Sequence, residues 1–402
     1  MGALSGIRVL DLSRVLAAPL AAQMLADLGA EVIKIERPGQ GDEGRTYGPP
    51  FLHDREGRST GMAAFFLACN RGKKSVTVDH SKPGGQQILR RLAQQSDVLL
   101  ENFRVGVLAK YGLDAPTLRR LNPRLVYCSV TGFGQDGPYA QRPGYDGVFQ
   151  AMGGVMCANG HPDEPMKIGI SMVDILTGQN TAVAILAALR HRDQVSGEGQ
   201  VIDMALLDCG VAALSHFAMN WLVGGEVPQR RGNGGFGGVP SQAFDCADGM
   251  IFIVAGNDKQ FAALCRVLER PEWATDPRFD HPGGRVVHRE ALLALLRERL
   301  AEAPVAHWLS LLEAADVPAS PVNELPQVFE NPQVRHRGLL VETEHPQAGR
   351  LPLLASPLRL QGTPVAEYRS PPTLGQHTRE VLRELLACGE GELDALAAQG
   401  VI

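Results

Sequence analysis

The sequence lacks a C-x-x-C pair, an H-E-x-x-H motif and any stretch approaching the roughly 20 uninterrupted apolar residues that a membrane-spanning helix needs. Each absence removes a class of protein. The seven cysteines, at positions 69, 128, 157, 209, 246, 265 and 388, are odd in number and irregularly spaced, so neither a disulfide framework nor a zinc ribbon is expected. The eleven histidines are not spaced to set two ligands on one helical face, and no metal is expected. The best apolar run, 181–189, is too short to span a bilayer. The first residues carry no basic segment followed by an apolar one, so a cytoplasmic protein is expected. A net charge of -5 supplies no basic field to draw the chain onto nucleic acid or an anionic membrane, and neither is expected as a partner. Acidic small molecules would have to be met by local basic groups.

What is present is ordinary globular material: 402 residues, 44% hydrophobic and 21% charged, enough for more than one compact unit. Residues 6–12 (GIRVLDL) read as a buried strand, 18–28 as a helix stopped by Gly29, and 31–36 (EVIKIE) as a second strand. A strand, a crossover helix and a strand within about thirty residues favour a right-handed parallel unit. The alternation continues with strands at 75–78, 98–101 and 125–130 and helices at 84–95 and 115–121. The expected fold is therefore α/β, an open doubly wound parallel sheet, with ligands beyond the carboxyl ends of the strands. The loops that follow those strands, 13–19, 37–45, 102–106 and 131–145, are accordingly the places to look.

A helix is expected at 176–190, beginning just after Asp174, then a strand at 200–204 and a further helical stretch at 205–221. The texture changes at 231–238 (RGNGGFGG), where five glycines in eight residues predict a mobile loop opening a second domain. The reading divides the chain into a large α/β domain over 1–204, a linker and glycine loop over 205–238, a smaller α+β domain over 239–325, an extended return linker over 326–372 and a closing part of the large domain over 373–402. Within the small domain a strand is expected at 250–254 and helices after Asn257 and at 289–300; a last helix is expected at 378–386.

Asp174 lies in a mostly apolar stretch, Gly169-Ile-Ser-Met-Val-Asp-Ile-Leu-Thr-Gly178. An isolated carboxylate there either caps the following helix or is kept for chemistry, and the local residues favour the cap. The wider pattern changes the balance. Val9-Leu10-Asp11-Leu12, Ala18-Pro19, the run from Leu28 through Arg37-Pro38 with Gly41-Asp42, then Asn70-Arg71-Gly72-Lys73-Lys74-Ser75, Glu101-Asn102-Phe103, Asn122-Pro123-Arg124-Leu125, Gly132-Phe133-Gly134, Gly137-Pro138-Tyr139, Asp174 with Thr177-Gly178, and Gly375-Gln376-His377-Thr378 are similar, in that order, to the class III CoA-transferases. The resemblance spans nearly the whole chain.

It implies that Asp174 is the nucleophile. Its carboxylate would attack the donor thioester to give a mixed anhydride and CoA thiolate, then an aspartyl-CoA thioester once the donor acid leaves, and the acceptor acid would run the steps in reverse. A carboxylate performs this when ionised, partly desolvated and held against the carbonyl, and the thioester's energy is kept only if water is excluded. The resemblance also implies that Gly232, Gly234, Gly235, Gly237 and Gly238 form a lid over the aspartate, divided here by Phe236; a plain flexible linker is the other reading. For coenzyme A, Arg37, Asn102, Phe103 and Arg104 match family contacts, and Arg71, Lys73 and Lys74 add positive charge, although such a cluster is more often a solvated face. Tyr145 matches a tyrosine near the acyl group, with core packing as its alternative. No tightly bound cofactor is implied, the CoA thioester being substrate.

Two competing functions differ at identifiable residues. A racemase of the same superfamily carries a histidine in the segment that here reads Gly144-Tyr145-Asp146-Gly147, and a tyrosine with a pKa near 10 is a poor base at neutral pH. A non-catalytic CoA-binding subunit is expected to lack Asp174 and the glycine lid. Several segments, among them 132–138, 144–146, 214–216, 242–244 and 254–257, look most like the succinyl-CoA:glutarate group, which suggests succinyl-CoA as donor and a C4 to C6 dicarboxylate such as glutarate, itaconate or mesaconate as acceptor. Arg45, Arg142 and Arg231 are candidates for holding its remote carboxylate. Family members are interlocked homodimers, and the long connections 205–238 and 327–372 provide the span for threading.

Overall fold

The computed structural model describes every residue except Met1, Pro228, Phe236 and Ala366. Chain contacts divide it into two units: Met1–Val155, Ile168–Gly225 and Val334–Ile402 form the first, and Met156–Lys167 with Glu226–Gln333 the second. The short segment Met156–Lys167, read from the sequence as part of the large domain, groups with the second unit.

The first unit is built on six strands: β1 (Arg8–Asp11), β2 (Glu31–Glu36), β3 (Lys73–Thr77), β4 (Val98–Glu101), β5 (Val126–Thr131) and β6 (Val201–Ala205). Their spatial order is β6-β5-β4-β1-β2-β3, all neighbours parallel. The order reverses between β1 and β4, which opens a crevice at the strands' carboxyl ends. Alternate residues feed two cores. Leu10, Ile33, Val76 and Leu99 point to the face away from α1 (Ala17–Asp27), where Leu89 and Leu92 of α2 (Pro83–Gln94), Leu118 of α3 (Ala115–Leu121) and Val381 and Leu382 of the helix Thr378–Leu386 pack. Val9, Val32, Leu100, Val126 and Cys128 point to the other, against α1 and α5 (Met172–His191), the long helix that follows α4 (Asp146–Met152). Burial on both faces is what makes these strands continuous apolar runs.

The α1–α5 contact sets the site. Ala17, Ala18, Ala21 and Ala22 give α1 a face of small side chains, and α5 meets it at Gly178, where a Cβ would stand 2.6 Å from the Ala17 carbonyl oxygen. Only glycine allows that approach. Asp174, one turn earlier on the same face of α5, is thereby brought to the β1–α1 loop. The helix begins at Met172 rather than beyond Asp174, so the aspartate sits inside the first turn. With its continuation to Ser196, this helix is long and apolar enough to cross a membrane by length and composition; here Val173, Thr177, Gly178, Thr181, Ala182, Ile185, Ala188 and Leu189 are buried, as in a core helix.

Other elements depart from expectation. The stretch 205–221 is two helices, Leu206–Ala212 and His216–Gly224, broken where Ser215 takes φ +48°. The stretch read as an extended linker carries helices Leu325–Glu330 and Pro332–His336 and a β-hairpin, Leu340–His345 with Gly349–Leu354. Its alternating Leu351 and Leu353 are buried while neighbours are exposed, a period-two signal obscured by proline and charge. A final helix, Glu390–Ala398, was not anticipated.

The second unit has an antiparallel sheet of Ser241–Asp245, Met250–Val254 and Ala319–Pro321. Helix Asp258–Val267, capped by Asn257, helix Arg289–Leu300 and helix Val305–Ala314 cover it through Phe261, Leu264, Leu292, Leu296 and Trp308. The glycine run is pinned rather than slack over much of its length: Gly232 N–H donates to Gly160, Gly235 N–H to Ser241, and Gly234 bridges Gln242. Phe236, which divides the run, lies outside the described residues.

Candidate active site

Two cavities occupy the crevice. One, of about 220 Å³, is lined by the β1–α1 loop (Arg14 to Ala17), by Asn102, Phe103 and Arg104 after β4, by Thr131 and Gly132 after β5, and by Arg142, Tyr145 and Asp174. The other, of about 510 Å³, lies over β2 and β3 and is lined by Arg37, Gly41, Asp42, Val78, His80 and Phe103. Both include Arg14, Glu43 and Phe103, so they form one continuous crevice.

Asp174 is half-buried at the end of the smaller cavity. Burial, followed by the charge of Asp146, pushes its carboxyl up to about 7. Asp146, at the start of α4, is 9% exposed; its Oδ1 accepts the N–H groups of Val173 (2.8 Å) and Asp174 (3.2 Å). Asp146 therefore caps α5 from outside, and Asp174 need not. The Asp146 Oδ2 accepts Gln150 Nε2 at 2.6 Å, and Gln150 in turn exchanges hydrogen bonds with the Ile168 backbone, fixing the approach to α5. Sequence reasoning quoted Asp146 beside Tyr145 without giving it a role, because its reach to α5 is purely tertiary.

Beneath the crevice lies a set of buried charges. Lys34 Nζ stands 2.8 Å from Asp42 and donates to the Ser13 carbonyl at 2.7 Å; Lys73 Nζ stands 2.9 Å from Asp11 and donates to Pro19 and Asn70. Burial opposes the charged form of Lys34, but Asp42, Asp11 and Glu36 raise its pKa, and Lys34 holds Asp42 below the ordinary carboxylate range against burial. Asp42 Oδ1 accepts Val15 N–H at 3.1 Å. Val15 takes φ +71°, a costly conformation for a β-branched residue, and lines the cavity. Asn102 clamps the neighbouring peptide, accepting Arg14 N–H at 2.9 Å and donating to Arg14 O at 2.7 Å. Glu101, buried and pushed up to about 7 by desolvation, receives Phe103 N–H at 2.8 Å and the Ser129 hydroxyl, and so shapes the start of the next loop.

The crevice thus gathers Asp174, Tyr145, Arg142, Asn102, Phe103, Arg104 and Arg37. Tyr145 is 65% exposed and faces the cavity rather than the core, and Arg142 lies over the Tyr139 ring. Three expected contacts are placed elsewhere. Arg45 is buried in a bidentate pair with Glu36 at 2.8 Å and donates to Pro372 O, which removes it from any remote carboxylate. Arg71 is buried against both oxygens of Asp27. Lys74 bridges Glu31 and Glu380 at 3.1 Å each. The glycines Gly234, Gly235, Gly237 and Gly238, with Arg231, belong to the second unit. Arg14 and Glu43, ion-paired at 2.7 Å and shared by both cavities, were missed; nothing in their sequence context marks them. Among the described residues no group of three or more His, Cys, Asp or Glu could hold a metal.

The chain is 44% identical over 383 residues to succinate–glutarate CoA-transferase of Agrobacterium fabrum, covering 95% of each chain. It is 41% identical over 403 residues to the mouse succinyl-CoA:glutarate CoA-transferase, covering 100% of this chain and 91% of that one. A crystal structure of a CAIB/BAIF family protein from Brucella suis superposes with a TM-score of 0.87 at 43% identity, over 96% of this chain and all of the other. The description of CoA-transferase family III matches residues 4–378, and the chain belongs to that family of enzymes.

Proposed function

We propose that this enzyme moves CoA from succinyl-CoA to a dicarboxylic acid of four to six carbons, glutarate, itaconate or mesaconate, with Asp174 as nucleophile. The observation that carries the reading is Asp174 itself, a half-buried carboxylate in a strand-end crevice whose acting neighbour is another carboxylate and not a cation. Asp146 beside it is satisfied as a structural aspartate is, by backbone N–H groups and Gln150, whereas a carboxyl raised by burial in a crevice is suited to chemistry.

The anionic nucleotide end of CoA is placed toward Arg37, which is exposed on the larger cavity, and the pantetheine arm passes Phe103 to bring the thioester to Asp174. An Asp174 oxygen attacks the thioester carbonyl; collapse of the tetrahedral adduct breaks the C–S bond, leaving a succinyl-aspartyl anhydride and CoA thiolate. The thiolate attacks the Asp174 carbonyl, releasing succinate and forming the aspartyl-CoA thioester. The acceptor carboxylate attacks that thioester, giving a new anhydride and thiolate, and the thiolate takes the acceptor's acyl group, restoring Asp174. Each step conserves an activated acyl bond while water is kept out. Closure of the glycine run over the aspartate is part of this proposal. So is an interlocked homodimer, supported by helix His216–Gly224, which has no buried residue and leaves Trp221, Leu222 and Val223 54%, 72% and 81% exposed.

The test is an assay of succinyl-CoA against a panel of carboxylic acids, with the enzyme's mass measured after donor treatment. CoA transfer to a dicarboxylate and a borohydride-sensitive adduct at Asp174 are expected. Exchange of an α-proton without CoA transfer would refute the reading.

A further inference from the structure

The second unit holds a cavity of about 740 Å³ that shares no lining residue with the crevice. Arg231, Gln242, Arg289 and Arg297 line it, with His161 and His288 beside them. Arg289 and Arg297, with Leu293 between them, stand at i, i+4 and i+8 and so share one face of helix Arg289–Leu300. The first turn of that helix, Arg289 to Ala291, also lines the cavity, and its N-terminal residue His288 provides no side-chain cap. Two carboxylates, Asp245 and Glu290, are on the wall as well.

Arg289 is the informative residue. It is half-buried, and its hydrogen bonds go to neutral acceptors at long distances: Nη1 to Gly235 O at 3.4 Å and Nη2 to Gln242 Oε1 at 3.2 Å. A guanidinium satisfied by carboxylate or phosphate would show bonds of about 2.7–2.9 Å. Burial first, then the neighbouring charges of Arg231 and Arg297, disfavour its charged form, with Glu290 acting the other way. Cations gathered in a concave wall, and not spread over a convex face, are the electrostatic signature of an anion site. The glycine run is fitted to this arrangement, since a Cβ on Gly234 would stand 2.2 Å from Arg289 Nη2. An ordinary side chain at 234 would displace the guanidinium.

We infer that this cavity binds a small oxyanion, a free dicarboxylate or a phosphate, through Arg289 with Arg231 and Arg297, and that the bound anion fixes the glycine run. The coupling is direct, because Arg289 already touches Gly235 and holds Gln242, which pairs with Gly234. An anion accepts short charge-assisted bonds from the remaining N–H groups of the guanidinium and locks it across the loop, with its bonds to Gly235 and Gln242 kept. The site does not depend on the role of Asp174, so a failed CoA-transfer assay leaves it untouched.

The experiment is backbone hydrogen exchange of the full chain over residues 229–245, titrated with succinate, glutarate, phosphate and acetate against sodium chloride at matched ionic strength. Protection by the dianions at concentrations where chloride and acetate have little effect is expected. A stronger response to the dicarboxylates assigns the site to a free acid; a stronger response to phosphate assigns it to a phosphate-bearing ligand. Arg289→Gln should weaken the midpoint about tenfold or more, Arg289→Lys less, and Glu290→Gln should tighten it a few-fold. Asp174→Ala should respond as the wild type does. Equal protection by chloride, an unchanged midpoint in Arg289→Gln, or loss of the response in Asp174→Ala would overturn the site. If Arg289→Gln fails to fold, the opposite shifts expected of Arg289→Lys and Glu290→Gln decide it.

Discussion

Two sets of acidic groups lie within the same strand-end crevice and are treated oppositely by the fold. Asp11, Asp42 and Glu36, under the floor, are each held by a cation at 2.8 or 2.9 Å from Lys73, Lys34 or Arg45. Asp174, in the wall of the crevice, has the buried Asp146 across the start of its helix, and burial first, then the charge of Asp146, raises its carboxyl. The paired acids can only hold the loop that carries Val15; a carboxylate without a cation retains its lone pairs for an incoming carbonyl. On the proposed mechanism, charge pairing separates the acids of the floor from Asp174, the reagent.

The comparison is broken most severely at Asp174. Asp174→Ala should lower CoA transfer by roughly 10⁴-fold or more, read as turnover of succinyl-CoA with glutarate, while leaving the melting transition close to that of the wild type. On the floor the balance inverts. Asp42→Ala leaves Lys34 buried without its partner and Val15 N–H without an acceptor, and should cost about 3–5 kcal/mol in denaturant unfolding. Gly178→Ala places a methyl group 2.6 Å from the Ala17 carbonyl; separation of α1 and α5 should cost about 1–3 kcal/mol and lower the rate by moving Asp174 from the loop.

Asp174→Asn sharpens the contrast through pH. The folded protein holds the Asp174 proton more tightly than the unfolded chain does, so ionisation destabilises the fold as pH rises from the ordinary carboxylate range through about 7. The asparagine variant should therefore be more stable at pH 8, by an amount on the order of 1–3 kcal/mol, with that gain absent at pH 4. The smallest effect is a displacement of the activity profile. Formation of the acyl adduct should rise with pH around a midpoint near 7, and Asp146→Asn should move that midpoint downward by removing the neighbouring negative charge.

Much of the first unit was legible because its strands are buried on both faces. The segments 31–36, 98–101 and 115–121 fall where expected, since apolar runs bounded by glycine or asparagine admit few alternatives. The hairpin Leu340–His345 with Gly349–Leu354 was not read, because only one of its faces is buried and charged residues interrupt the pattern. Arg37, Asn102, Phe103, Arg104, Tyr145 and Asp174, expected from their place after strands and from family resemblance, all line the crevice. Arg45, Arg71 and Lys74 were placed in the site by charge alone, and charge does not reveal a partner distant in sequence.

The sequence by itself determined the alternation of strand and helix, and with it a crevice at the carboxyl ends of a parallel sheet, because hydrophobic period and chain handedness are local properties. It also carried the order of motifs that marks the family. Whether an acid is ion-paired was decided only by tertiary structure. Lys34 meets Asp42, Asp146 meets α5 and Gly178 meets Ala17 across gaps in sequence that no local pattern encodes, and those contacts fix which carboxylates are ion-paired and where Asp174 stands.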